Sequence, residues 1–323
     1  VRRTLRQPEL RERLGGAALP AAFFTALLWT VHPLLTETVT GVTQRTESLA
    51  GWCYLLTLYG LVRAAESSRP GRWQAASLTA CVLGMGCKEV MVSAPLIAVF
   101  YDVAFLDGSW RAAWRRRGRF FALLALSWVP LGLLVAGHGT RYGTVGFGLG
   151  VSSWEYALTQ CRAIIHYLVL SFWPHPLVVD YGEAIAKRPD EVWLQGLVLL
   201  GLLGATIAAC FRKMSAAFPG LWFFAILAPS SSFLPLATQT VAEHRMYLPL
   251  AAVLVPTVIG IHRLVGRRSW TVLTALAAAL MLLTARRNED YRNPLALWRD
   301  TVTKAPGNAR AHGNLGSALA DAG

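Results

Sequence analysis

Four short stretches of this sequence set ionisable side chains at the edge of an apolar run. Thr30 to Ser48, TVHPLLTETVTGVTQRTES, carries His32, Glu37, Arg45 and Glu47. GCKEV carries Lys88 and Glu89, WPHPLVVDYG carries Asp180 and Tyr181, and EHRMYLPL carries Glu243, His244, Arg245 and Tyr247. In such a set a carboxylate can take the proton from a hydroxyl. A lysine can hold a phosphate as a point charge, and an arginine can hold it by a planar two-point contact. Each stretch also has a plainer reading. The first is then a hydrophilic loop with an interfacial structural histidine, Lys88-Glu89 a polar hairpin, WPHPLVVDYG a proline-fixed loop and EHR a helix cap.

These groups need elements to gather them, and composition says which. The chain has 323 residues, 54% hydrophobic, with 12 Trp and a mean hydropathy of +0.42. That is far more apolar than a soluble domain, and its apolar runs recur at lengths near the roughly 20 residues that cross a bilayer. The sequence therefore predicts an all-α, polytopic helical membrane protein. A net charge of +13 could point to nucleic acid, but 18 of the 31 Lys and Arg fall in five segments between alternate apolar runs. One consistent orientation with basic loops inside accounts for them, and no nucleic-acid partner is expected.

On that orientation about nine spans are expected: Ala17 to Leu35, one centred on Trp52 to Leu61, Trp73 to Gly86, Val90 to Phe105, Phe120 to Gly137, Val192 to Cys210, Phe218 to Leu236, Leu248 to Ile261, and Trp270 to Leu283. Arg111 to Arg119 reads as the strongest inner loop. Trp154 to Trp173 would put later basic loops on the wrong side if it crossed, and it carries Glu155, Gln160, Arg162 and His166. It is expected as an amphipathic or re-entrant helix at the outer face. The Gly-rich run before it, with Arg141, reads as loop. Five cysteines without a CxxC pattern suggest neither a disulfide framework nor a zinc site.

The alternation brings His32, Glu37, Arg45, Glu47, Lys88, Glu89, Arg141, Asp180, Tyr181, Glu243, His244, Arg245 and Tyr247 to one outer surface. A polar ring at the end of a helical bundle is where a membrane enzyme would handle a lipid-linked substrate, with the lipid tail between spans. Arg45, Lys88 and Arg245 are the candidate phosphate ligands, and Glu37, Glu47, Asp180 and Glu243 the candidate supporting carboxylates. The catalytic residue itself is not identified. His32, Glu89, Tyr181, His244 and Tyr247 complete the candidate set. No cofactor follows from the residues; a divalent metal stays open, since no compact oxygen-ligand motif is present.

The segment 1–285 reads as the membrane domain and 286–323 as the start of a tetratricopeptide array. Trp298, Thr301 and Pro306 match the second helix of one repeat, and His312, Leu315, Gly316 and Leu319 the first helix of the next. A single half-pair cannot bury its apolar face, and residue 1 is Val, so a segment of a longer protein is expected.

HPLLTETVTGVTQRTESLAGWCYLLTLY, GCKEVMVSAPLIAVFYD, WPHPLVVDYG, EHRMYLPLAAVL and PGNARAHGNLG, in this order, resemble the transmembrane and tetratricopeptide-repeat O-mannosyltransferase-like family and its bacterial relatives. The resemblance implies a membrane glycosyltransferase of GT-C type. Its donor would be a polyprenyl-phosphate sugar, mannose-like, and its acceptor a protein hydroxyl, with the repeats holding acceptor or partner. It places the enzyme in a bacterial inner membrane with periplasmic repeats, or in the endoplasmic reticulum with lumenal repeats. It also implies a catalytic acid in a first outer loop ahead of residue 1. Two other classes stay open: a non-catalytic, membrane-anchored repeat scaffold, and a lipid-linked polymer ligase or transporter. Span centres nearly free of charge disfavour ion-coupled transport.

Overall fold

The computed structural model describes residues 1–137, 151–182, 184–232 and 240–322. Arg141 and the Gly-rich run around it lie outside them. Among the described residues every regular element is helical, as the composition predicts.

After two short helices, α1 (Arg2–Leu5) and α2 (Pro8–Leu14), the apolar α3 (Ala18–Thr30) runs to the first polar stretch. Pro33 holds the preceding residue extended, His32 at φ −78°, ψ 123°. The chain therefore turns, and α4 (Thr36–Thr40) leaves at 54° to the preceding helix. Then come α5 (Arg45–Glu66), α6 (Pro70–Met85), α7 (Ala94–Phe105), α8 (Trp110–Leu126) and α9 (Trp128–Gly137). The second half comprises α10 (Ser153–Phe172), α11 (Trp193–Arg212), α12 (Met214–Leu227), α13 (Leu250–Val265), α14 (Ser269–Asp290), α15 (Pro294–Lys304) and α16 (Ala309–Asp321).

Two cores share α12. Phe223 and Leu227 pack with α3, α10, α13 and α14, while Trp222 and Ile226 pack with α5 to α8. Two indoles also pin the chain entering α13. Pro249 donates no hydrogen bond, and the carbonyls of Tyr247 and Leu248 accept from Trp29 Nε1 at 2.8 Å and Trp222 Nε1 at 2.9 Å. Between α5 and α6 the approach is close because Gly60 lacks a side chain. A Cβ there would lie 2.7 Å from Ser77 Cβ and 2.9 Å from the Trp73 carbonyl oxygen. Gly60→Ala should therefore cost about 1–3 kcal/mol by overpacking, read as a lower unfolding midpoint in detergent, while Gly71→Ala, which meets nothing within 4 Å, serves as the control.

By length and apolar character alone, Trp193–Arg212 and the 41-residue Leu250–Asp290 stretch are long enough to cross a bilayer, and the bent pair Leu10–Thr30 with Pro33–Thr40 would make a third. The longer stretch is not one rod. Gly266, at φ +59°, reverses it. Trp270 stacks on Phe24 and His262, while at the other end Thr284 bonds the Val31 carbonyl and Trp29 reaches Tyr247. The two halves thus run antiparallel to each other, both packed along α3. Length does not return the expected nine spans, because α6, α7 and α12 have 16, 12 and 14 residues, short of the roughly 20 that a perpendicular crossing needs.

Other boundaries also differ from the sequence reading. Arg111 to Arg119 form the first half of α8, not a loop: Ser109 caps the helix by accepting from Ala112 N, and the alanines and arginines that follow are good helix formers. Residue 285 lies inside α14, which continues to Asp290, so no linker separates 1–285 from 286–323. The expected Trp154 to Trp173 helix is present as α10, opened by a Ser152/Glu155 capping box. Tyr156 near its start bonds the Ser230 carbonyl, and the Ser171 carbonyl at its end meets His32. α10 thus lies across one end of the bundle.

Candidate functional site

That end of the bundle gathers most of the candidate residues. α4 presents Glu37 inward, where Oε2 accepts from the His244 backbone N–H at 3.0 Å and Oε1 meets His244 Nδ1 at 2.9 Å. Both side chains are buried. His32 stands beside them as a structural histidine: Nδ1 accepts from Leu34 N at 3.3 Å and Nε2 donates to the Ser171 carbonyl at 3.2 Å. Neither ring nitrogen is left for proton transfer.

Glu243 is fully buried. Its Oε1 accepts from Val178 N at 2.6 Å and from the Tyr181 hydroxyl at 2.8 Å, while Oε2 has no partner. Burial pushes this carboxyl up to about 8, against the pull of the nearby Arg287 guanidinium, with Glu37 adding to the rise. Burial and the Glu243 charge push the Tyr181 phenol up as well, so it acts as a hydrogen-bond donor. Arg287 and Tyr291, which the sequence reading places in the polar tail, are neighbours of Glu243. Arg287 Nη1 donates to Asp290 and Asp300 at 3.2 Å each, its Nε and Nη2 lack partners, and its guanidinium lies 5.2 Å from the Tyr291 ring centroid. The signal available was a pair of arginines directly after an apolar run at the level of EHR.

Asp180 proves to be a fastener. Its Oδ1 accepts from Gly182 N at 3.1 Å, its Oδ2 from Arg310 Nε, and its carbonyl from Asn308 Nδ2 at 2.9 Å. Lys304 Nζ adds a bond to the Leu177 carbonyl at 3.1 Å. Gly182 takes φ +55°, and a Cβ there would strike Asn308 at 2.5 Å. One face of the loop Trp173 to Gly182 therefore holds Glu243, and the other holds the α15–α16 pair.

The remaining candidates form two more groups. Lys88 and the buried Glu47 pair at 2.5 Å, and Tyr247 lies over Gly51, whose absent Cβ would meet its ring at 2.5 Å. Arg245 is buried; Nη1 donates to the Thr240 carbonyl at 3.1 Å and to Tyr156 OH, Gln160 Oε1 and Ser231 Oγ at 3.4 Å each. Glu89, half-buried, favours the positive charge of Arg245 through its own negative one. Arg45 opens α5 and is exposed. Among the described residues no three His, Cys, Asp or Glu side chains are grouped to hold a metal ion.

Residues 14–132 match the family described as dolichyl-phosphate-mannose-protein mannosyltransferase. Similarity to curated proteins runs further. Protein O-mannosyl-transferase Tmtc3 of Drosophila melanogaster is 26% identical over 94% of this chain and 39% of its own length. Protein O-mannosyl-transferase TMTC4 of Mus musculus is 23% identical over 94% of this chain and 47% of its own. Tmtc2 of Drosophila melanogaster reaches 29% over 55% of this chain and 20% of its own. The chain is similar to these O-mannosyl-transferases. It spans from a fifth to about half the length of these relatives. No solved structure matches it. The mannosyltransferase match takes in Glu37, Glu47, Lys88 and Glu89, whereas Asp180, Glu243 and Arg245 lie beyond it. The longer alignments to the O-mannosyl-transferases Tmtc3 and TMTC4 cover 94% of the chain.

Proposed function

We propose that this chain forms part of a GT-C type membrane glycosyltransferase that passes a mannose-like sugar from a polyprenyl phosphate to a hydroxyl of a protein acceptor. One observation carries the reading: polar and basic groups from four distant stretches converge at one end of an apolar helical bundle. Lys88 and Arg245 lie in that ring with Glu37, Glu47 and Glu243, and Arg45 stands at its rim. The similarity to mannosyltransferases supports it.

In such a transfer the acceptor oxygen bonds the anomeric carbon as its bond to the phosphate oxygen breaks. The bonding pair leaves on the phosphate, and the hydroxyl proton passes to a carboxylate other than Glu37, Glu47, Asp180 and Glu243. Arg245 is the cation best placed to steady the departing phosphate, because its guanidinium is held in a buried polar setting where charge is felt strongly. Lys88 and Arg45 are secondary. The four carboxylates are all engaged: Glu37 by His244, Glu47 by Lys88, Asp180 by Arg310, and Glu243 by Tyr181 and Val178. Their part is to position neighbours, not to take the acceptor's proton. The helix pair α15–α16 matches the seam of a repeat array and would lie where the protein acceptor or a partner arrives.

The test uses full-length protein and a polyprenyl-phosphate mannose. Arg245→Lys should fold, bind donor more weakly, and lose at least 90% of transfer, because a point charge replaces a planar fork, a difference of about 1.4 kcal/mol or more. Arg245→Ala should abolish transfer. Unchanged donor binding and transfer in both would remove the phosphate role, and a repeat-surface change that alone abolished partner binding would favour the scaffold reading.

A further inference from the structure

At the opposite end of the bundle, α8 carries a second basic site that the sugar-transfer reading does not use. α7 starts beside Lys88 and Glu89 and ends at Phe105, and α8 begins there. A groove of about 710 Å³ opens between α8 and the start of α6, lined by Gln74, Trp114, Arg115, Arg116, Arg117 and Arg119. Two of these arginines are neutralised: Arg117 pairs with Asp102 at 2.5 Å and Asp107 at 2.9 Å, and Arg116 with Asp107 at 2.8 Å. Arg115 and Arg119 are exposed, and neither has an ion pair among the described residues.

The surroundings say what the groove meets. Trp114 is 62% exposed and Trp110 51%. The Trp114 indole lies along its own helix over Gly118, where a Cβ would sit 3.4 Å from three ring carbons. One turn further on, the same helix turns apolar and remains exposed at Leu123 and Leu126. Exposed tryptophans at the junction of a basic and an apolar surface mark the headgroup level of a bilayer. Paired arginine forks suit a phosphate oxygen pair.

We infer that this groove holds the phosphate headgroup of an anionic glycerophospholipid, with Arg115 and Arg119 on the phosphate and the acyl chains along Leu123 and Leu126. A basic pocket beside apolar helices is the form such sites take. Inorganic phosphate shares the headgroup chemistry but has no chains for the apolar half, so lipid should bind and free phosphate should not.

The full-length protein, purified in neutral detergent, is titrated with phosphatidylglycerol, phosphatidylcholine or sodium phosphate while its Tm is followed. Phosphatidylglycerol alone should give a saturable rise. Arg115→Gln/Arg119→Gln should keep the unliganded Tm and weaken the apparent affinity roughly tenfold or more. Arg115→Lys/Arg119→Lys, which preserves charge, should retain part of it, and Arg263→Gln/Arg267→Gln, on another basic turn, should leave it intact. An equal rise with sodium phosphate or phosphatidylcholine, an undiminished rise in the Gln pair, or an equal loss in the Arg263/Arg267 variant would each overturn the assignment.

Discussion

Glu37→Ala should unfold at markedly lower temperature than the parent, by the equivalent of about 2–5 kcal/mol, because it orphans two buried donors at once. The His244 N–H loses its acceptor at 3.0 Å, and His244 Nδ1 loses its partner at 2.9 Å. Glu37→Gln keeps one carbonyl oxygen in place and should cost only roughly 1–2 kcal/mol. Combining each with His244→Ala closes a double-mutant cycle. If the pair is coupled as the geometry shows, Glu37→Ala costs less in the His244→Ala background by the share of the Nδ1 contact, while the backbone N–H at 244 is still orphaned there. Equal, small losses for Ala and Gln in the wild-type background would show that the contact contributes nothing.

The second large effect is one of pH. A carboxyl raised from its ordinary 4.5 to about 8 by burial keeps a proton in the folded protein that the unfolded chain has released. Its contribution to stability is full below about pH 4.5 and is lost as pH rises to about 8, at up to roughly 1.4 kcal/mol per pH unit. Glu243→Gln retains an oxygen for Val178 N and Tyr181 OH and cannot ionise. Its Tm should therefore vary less over this window, with the variant gaining on the parent as pH climbs. Parallel Tm profiles for parent and variant would mean that Glu243 is not the titrating group. Glu243→Leu, which strands both donors, should be the least stable of the three.

The two large predictions differ in how legible they were. Glu37, His244 and Glu243 were visible as candidates because charged residues beside apolar runs stand out, and because the basic bias of alternate loops put them on one face. Their pairing was not visible, since Glu37 and His244 are 207 residues apart and no periodicity encodes such a contact. Asp180 read as a possible carboxylate of the site because its loop looked fixed by prolines. That it faces Arg310 depends on how α16 docks, which only the folded chain shows. Arg287 was missed for a related reason. The change from apolar to polar at residue 286 looked like a domain boundary, yet α14 continues through it and keeps Arg287 buried. The basic half of α8 reads as an inner loop from its charge alone, because clustered arginines mark the inner side of a membrane, although its alanines and arginines favour a helix. The repeat-like tail folds as the two helices its spacing implied, α15 and α16.

The loop Trp173 to Gly182 ties two distant events into one equilibrium. It donates to Glu243 through Val178 and Tyr181 and grips Asn308, Arg310 and Lys304 through Asp180 and Leu177. Whatever tugs on α16 alters the hold on Glu243, and by reciprocity the protonation of Glu243 alters how firmly α16 is seated. Proton uptake at the bundle and the seating of α16 are then linked through a single loop.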